Sequence, residues 1–285
     1  MWEMLWDVFL DAFLDSLKML PFLFVAYLIL EYIEHKSSTK FAKILGSSKL
    51  GPIGGALLGC LPQCGFSVTA ANLYAGRVIT VGTLAAVFLS TSDEALPLML
   101  AHPESYPMLF LLLGCKVVIA IAAGFLFDLL TKRFRKEEAP TEEIHALCKH
   151  CHCEHGIVLS ALRHTVSIFA FIFVVLLVLN LGVEWIGEEN LSALLLQGSI
   201  FQPLVAGLVG FIPNCAASVL LTELYLSGGI SFGSAVAGLC TGAGIGLAVL
   251  WRVNRDWKEN CSIMLVLLAV GLLVGGVLQM NVITL

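Results

Sequence analysis

Charge is scarce in this 285-residue chain: Asp, Glu, Lys and Arg together make up 13% of it, with a formal net charge of -5. A soluble domain of this length carries about twice that share, so a soluble enzyme is excluded. Sixteen Lys and Arg without a dense basic tract cannot neutralise a phosphate backbone, which excludes nucleic acid as a partner. No Gly-rich phosphate loop of the Walker type occurs, so this chain is not expected to hydrolyse ATP. Cys60 and Cys64 are not spaced as a C-x-x-C pair, and the loops assigned below to the outside carry no cysteine, which disfavours a membrane thiol oxidoreductase. The N-terminus lacks a basic n-region, so a cleavable signal is not expected there.

What the chain has instead is apolar sequence, 58% of its residues, at a mean hydropathy of +0.92. Runs long enough to cross lipid as helices are read at Phe9 to Ile33, Ile79 to Leu100, Pro107 to Leu130, Leu159 to Ile186, Ile230 to Trp251 and Cys261 to Ile283. Two more apolar stretches, Leu50 to Ala75 and Leu194 to Ser227, are interrupted near the middle by proline and small residues. Each reads as a pair of short helices. An arm of about twelve residues rises about 18 Å, too little for a hydrocarbon layer about 30 Å thick, so re-entrant hairpins are expected.

Lysine and arginine set the direction. Lys36, Lys40, Lys43 and Lys49 follow the first span, Arg77 the first hairpin, Lys132, Arg133, Arg135 and Lys136 open the central loop, and Arg252, Arg255 and Lys258 join the last two spans. The loops Ala101 to Tyr106 and Gly187 to Ala193 have neither residue. Placing the cations in the cytoplasm is self-consistent, and it puts both termini outside an inner, or plasma, membrane.

The chain also repeats itself. Pro52 to Leu98 aligns with Pro203 to Val249 at a constant offset of 151 without a gap, and 13 of the 47 pairs are identical. Pro62 pairs with Pro213, Cys64 with Cys215, Ser67 with Ser218 and Tyr74 with Tyr225. The orientation just assigned turns the two copies in opposite directions. The fold expected is therefore an all-α polytopic membrane protein, an inverted repeat of two halves, each with three full spans and a broken helical hairpin, ten helical segments in all. Residues 1–131 form the first repeat, 132–158 a cytoplasmic loop and 159–285 the second repeat. Inverted repeats with interrupted helices at matching positions point to a secondary transporter whose substrate sits near the midplane. Bare backbone at that depth is tolerated only beside protein or a wet cavity.

The candidate substrate-binding residues lie at and around the breaks. Cys64 and Cys215 approach each other if the hairpin tips meet, Cys60 stands one turn before Cys64, and Gln63 and Asn214 add neutral oxygens. Soft thiolates suit thiophilic ions; an unpaired cysteine in an apolar helix is also an ordinary core residue, the reading adopted for Cys115, Cys240 and Cys261. Ser92, Asp93 and Glu94 interrupt one span, and Lys116 sits near the middle of the next. An ion pair between Lys116 and Asp93 relieves both charges in lipid, either as a coupling switch or as a structural bridge. Asn72 and its repeat equivalent Glu223 lie on the outgoing hairpin arms, where Glu223 offers a hard oxygen. In the central loop His145, Cys148, His150, Cys151, His152, Cys153 and His155 crowd into eleven residues, a metal-binding composition without the spacing of a closed zinc finger. A zinc-like divalent metal held by this loop is expected, and no tightly bound cofactor elsewhere.

G-C-L-P-Q-C-G-F-S and G-F-I-P-N-C-A-A-S, the S-T-S-D-E run and the His/Cys loop together resemble the ten-transmembrane heavy-metal exporters, a family related to the arsenic permeases and also labelled manganese transporter. The resemblance covers almost the whole chain. It implies a non-enzymatic exporter of a heavy metal or metalloid ion. By analogy with arsenic permeases Cys64 and Cys215 contact a thiophilic substrate, whereas the manganese label favours Asp93, Glu94 and Glu223. The partners expected are the metal or metalloid ion, the lipid bilayer and, as a candidate, a second copy of the chain. A metal sensor whose chemistry is confined to the His/Cys loop is the alternative outside transport.

Overall fold

The computed structural model describes residues 50–61, 64–92, 95–100, 105–134 and 199–280, with single positions between 6 and 28 and between 162 and 181. These residues are helical or in turns, with no strand among them. The first group of helices comprises α1 (Gly51–Gly59), α2 (Cys64–Ala75), α3 (Val81–Ser90), α4 (Ala95–Leu100) and α5 (Tyr106–Phe134). The second comprises α6 (Gln202–Gly210), α7 (Cys215–Leu226), α8 (Phe232–Thr241), α9 (Ile245–Val253) and α10 (Trp257–Met280). Their starting residues are separated by 151, 151, 151, 150 and 151 positions, so the offset read in the sequence recurs in the helix boundaries.

Local chemistry explains why the boundaries match. Pro52 and Pro203 stand in the first turns of α1 and α6, where a missing N–H costs nothing because no carbonyl precedes it in the helix. Thr80 and Ser231 cap α3 and α8, their hydroxyl oxygens accepting from the N–H of Thr83 and Ser234 at 3.1 Å in both cases. Gly59 and Gly210 end α1 and α6 against the last turns of α3 and α8. A Cβ at Gly59 would overlap Ser90 Oγ, and one at Gly210 would overlap the Gly238 carbonyl. Both hairpins are pairs of short helices.

Two spans read as continuous are interrupted. Ile79 to Leu100 divides into α3 and α4, with Thr91 capping α3, and Ile230 to Trp251 divides into α8 and α9 at Gly242–Ala243–Gly244. Each of these two stretches is therefore a broken helix rather than a continuous one. In the second half Gly244 has φ +53° and ψ -147°, a conformation that an L side chain rarely adopts, so glycine permits the interruption. In the first half Thr91 turns extended at ψ 125°, with its hydroxyl donating back to the Val87 carbonyl at 2.7 Å.

Among the described residues three segments are long and apolar enough to cross a membrane: Tyr106–Thr131, Phe232–Val253 and Trp257–Met280. Phe232–Val253 is 89% buried in its most apolar window, against 33% and 22% for the others, so α8 and α9 are inner elements and α5 and α10 face outward. Each group packs in the same order, α1 on α3 and α3 on α5, α6 on α8 and α8 on α10. The groups also exchange arms, α9 lying on α2 and α4 on α7, while α3 and α8 touch at the centre. Near the N-terminus Phe9 and Phe13 meet Phe173 edge to face, with ring centroids 5.4 and 6.0 Å apart.

Candidate functional site

Broken helices expose their ends, and here the ends converge. The C-terminal turns of α3 and α8 lie beside Lys116, which α5 brings from outside the pair. Lys116 is fully buried, and its Nζ donates to the carbonyls of Thr91 and of Leu239, the latter at 2.8 Å. One ammonium thus joins carbonyls from both groups of helices. A helix C-terminus carries partial negative charge, so a cation between two of them is favourably placed. Cys60, partly buried at the C-cap of α1, and Cys240, fully buried in α8, are both within electrostatic range of that ammonium.

Beside this junction lies a cavity of about 10 Å³, room for one water-sized guest. Thr91 and Ser92 line it from the first group; Asn214, Ser218, Gly242 and Gly244 are among its walls from the second. Ser92 Oγ donates to the Ser90 carbonyl at 3.0 Å, and Asn214 is buried where the second hairpin turns, its N–H bonded to the Ile212 carbonyl at 2.7 Å. The donors around the cavity are therefore hydroxyls, one amide and unwound backbone.

The structure brings together Ser92 and Asn214, with Cys60 near Lys116. Asn72 is buried, its Nδ2 donating to the Val68 carbonyl at 2.8 Å, whereas its repeat equivalent Glu223 is exposed. Cys64 and Cys215 open α2 and α7 at matching positions, but their side chains lie outside the described residues. Gln63, Asp93 and Glu94, and with them the Asp93 half of the expected ion pair, also lie outside them, as do His145, Cys148, His150, Cys151, His152, Cys153 and His155. Among the described residues no three His, Cys, Asp or Glu side chains converge as a metal site.

Two polar centres were missed in the sequence. Asp128 on α5 is buried, accepting from the Gly82 N–H at 2.9 Å and the Thr80 hydroxyl at 2.8 Å, and so anchors the start of α3. A second cluster ties the exit of the first hairpin to the start of α10. Arg77 pairs with both carboxylate oxygens of Glu259 at 3.0 Å, and Glu259 also accepts from the Tyr74 hydroxyl at 2.7 Å and Asn254 at 3.1 Å. The Glu259 carboxylate raises the pKa of the Arg77 guanidinium above its ordinary value. A charge inside an apolar run was the available signal for Asp128; nothing local announced the partner of Arg77.

A family model described as "Putative, 10TM heavy-metal exporter" matches residues 2–181 and 154–283. No curated protein and no solved structure matches the chain.

Proposed function

The chain belongs to the ten-transmembrane heavy-metal exporter family, and from that premise we propose that it is a secondary transporter moving a heavy-metal or metalloid ion outward by alternating access. The observation that carries the reading is the convergence of matching helix interruptions on one buried junction, with a one-guest cavity beside it. Interrupted helices leave backbone donors and acceptors at membrane depth, and such backbone is stable only where protein or a passing solute satisfies it. Two copies turned in opposite directions supply a reason for alternation, because rocking one half against the other exchanges two nearly equivalent states.

The substrate enters between the Pro62–Gln63–Cys64 and Pro213–Asn214–Cys215 tips, where Cys64 and Cys215 offer thiolates, Gln63 and Asn214 offer amide oxygens, and Ser92 offers a hydroxyl. Sulfur ligands select soft ions, so arsenite and related metalloids are the first class to test. The His/Cys loop, from His145 to His155, holds a divalent metal on the cytoplasmic side and raises its local concentration. Asp93 and Lys116 supply a pair of opposite charges at the junction, as a structural bridge.

Inverted membrane vesicles carrying the protein are to be given arsenite, methylarsenite, zinc, cadmium, manganese and iron in turn, with internal content measured by mass spectrometry. Accumulation of at least one of them above vesicles lacking the protein is expected. Uptake of none would end the transport reading. Loss of arsenite flux in Cys64→Ser and Cys215→Ser, with other ions retained, supports the thiol assignment; unchanged arsenite flux removes it.

A further inference from the structure

The two carbonyls that hold Lys116 come from different helices interrupted at matching places. Thr91 caps α3, and Leu239 stands in the last turn of α8. Terminal carbonyls of a helix lack partners within it, and their dipoles add to a partial negative charge. Two such ends aimed at one point make a site for a positive charge. In carriers with broken helices, half-helix C-termini and unwound carbonyls are the groups that coordinate a driving cation. Here that point is filled by the chain's own ammonium.

The surroundings support a cation site. Of the elements packed on α5, neither α3 nor α4 has an ionisable side chain within its range. Cys60 approaches from the end of α1 and Cys240 from α8. On α10 the ionisable groups are Lys258, Glu259 and Cys261 near its start, with Glu259 bonded to Arg77. The repeat carries Leu267 where the first half has Lys116, so the tether is made once and serves both broken helices. Leu267 is fully buried.

We propose that the carbonyls of Thr91 and Leu239 form a monovalent-cation site at the junction of the two broken helices, with Lys116 as its tethered occupant. The ammonium stands where a carrier driven by free sodium would hold that ion. Lys116 is then a positioning residue: it keeps the two helix ends at the spacing that shapes the neighbouring cavity. The flux readout of this inference rests on the transport reading.

The test uses the full-length protein in proteoliposomes and in detergent, with arsenite and manganese as flux probes. Wild-type exchange should be the same in sodium, potassium and N-methylglucamine buffers. Lys116→Ala in N-methylglucamine should lose about tenfold to a hundredfold in exchange, the scale expected for removing charge-assisted hydrogen bonds. Added sodium or methylammonium should restore a large part of that loss, and should raise the melting temperature of Lys116→Ala while leaving that of the wild type unchanged. Lys116→Arg should keep the fold and need no added cation. A wild type that requires sodium or potassium overturns the proposal, and this measurement needs no variant. So does a monodisperse Lys116→Ala protein whose exchange and melting temperature respond to neither cation. If the wild type exchanges neither probe, the transport reading fails, while the melting experiment still decides the cation site.

Discussion

Asp128 sits in an apolar helix with its two carboxylate oxygens divided between the Gly82 N–H and the Thr80 hydroxyl. Thr80 is itself the cap of α3, so the carboxylate fixes the residue that fixes the helix. Its negative charge also faces the positive end of α3, a favourable placement. Asp128→Ala removes both of these acceptor oxygens and leaves a buried N–H and a half-buried hydroxyl to find others. We predict a loss of about 2 to 4 kcal/mol, from two charge-assisted bonds, read as a lower unfolding midpoint in detergent. Asp128→Asn keeps an oxygen for Gly82 and should lose less; equal losses would show that charge and bond count are irrelevant there. Legibility at this scale was uneven. Lys116 was visible as a cation in a lipid-crossing run, yet its acceptors are backbone atoms, which no side-chain pattern advertises. The buried Asn214 followed directly from its place beside the Pro213 break. Exposure of Glu223 did not, because the same repeat position holds the buried Asn72 in the other half.

At the scale of elements, the hairpins were legible and the broken central helices were not. Proline marks the hairpin turns, whereas Thr91–Ser92 and Gly242–Ala243–Gly244 interrupt their helices with residues that single helices also tolerate. The deciding feature is tertiary: carbonyls freed at those points find Lys116, so the interruption is stabilised from a third helix. Gly244→Ala tests the local part of this account. At φ +53° the added Cβ costs about 1–3 kcal/mol in backbone strain, and the variant should unfold earlier and exchange substrate more slowly; a wild-type midpoint would show that the turn relaxes freely. A second turn gives an internal control. Arg77 has φ +57° where the repeat places Gly228 at φ +76°. Arg77→Gly and Arg77→Ala lose the same pairing with Glu259, but glycine is relieved of the left-handed penalty. Arg77→Gly should therefore be more stable than Arg77→Ala by about 1 kcal/mol. If alanine is the more stable of the two, the positive φ is not retained once the ion pair is gone.

Across the whole molecule the pairing of halves explains more than any single contact. α9 lies on α2 and α4 on α7, so neither half completes its own hairpin packing. Ser67 and Gly246 show how close that exchange is: a Cβ on Gly246 would lie 2.6 Å from the Ser67 Cβ. A duplicated sequence made the spacing of the matching elements readable, but which arm covers which hairpin depends on contacts between residues about 120 to 180 positions apart, beyond any local pattern. Orientation is the property on which the proposed alternating mechanism turns, and the lysine and arginine distribution predicts it. Arg77 and Glu259 are bonded, so the exit of the first hairpin and the start of α10 share one face. The cation count assigns that face to the cytoplasm, since Arg252, Arg255 and Lys258 cluster beside it. The equivalent exit of the second hairpin, at Ser227 and Gly228, must then face outward if the copies are inverted. Lys258 and Ser227 are both exposed, so cysteines placed there should be reached by reagent. In intact cells an impermeant maleimide should label Ser227→Cys above the wild-type background and leave Lys258→Cys unlabelled, with the pattern reversed in inverted vesicles. Labelling of both from one side would mean that the copies run parallel, and a parallel pair cannot interchange inward-open and outward-open states by swapping the roles of its halves.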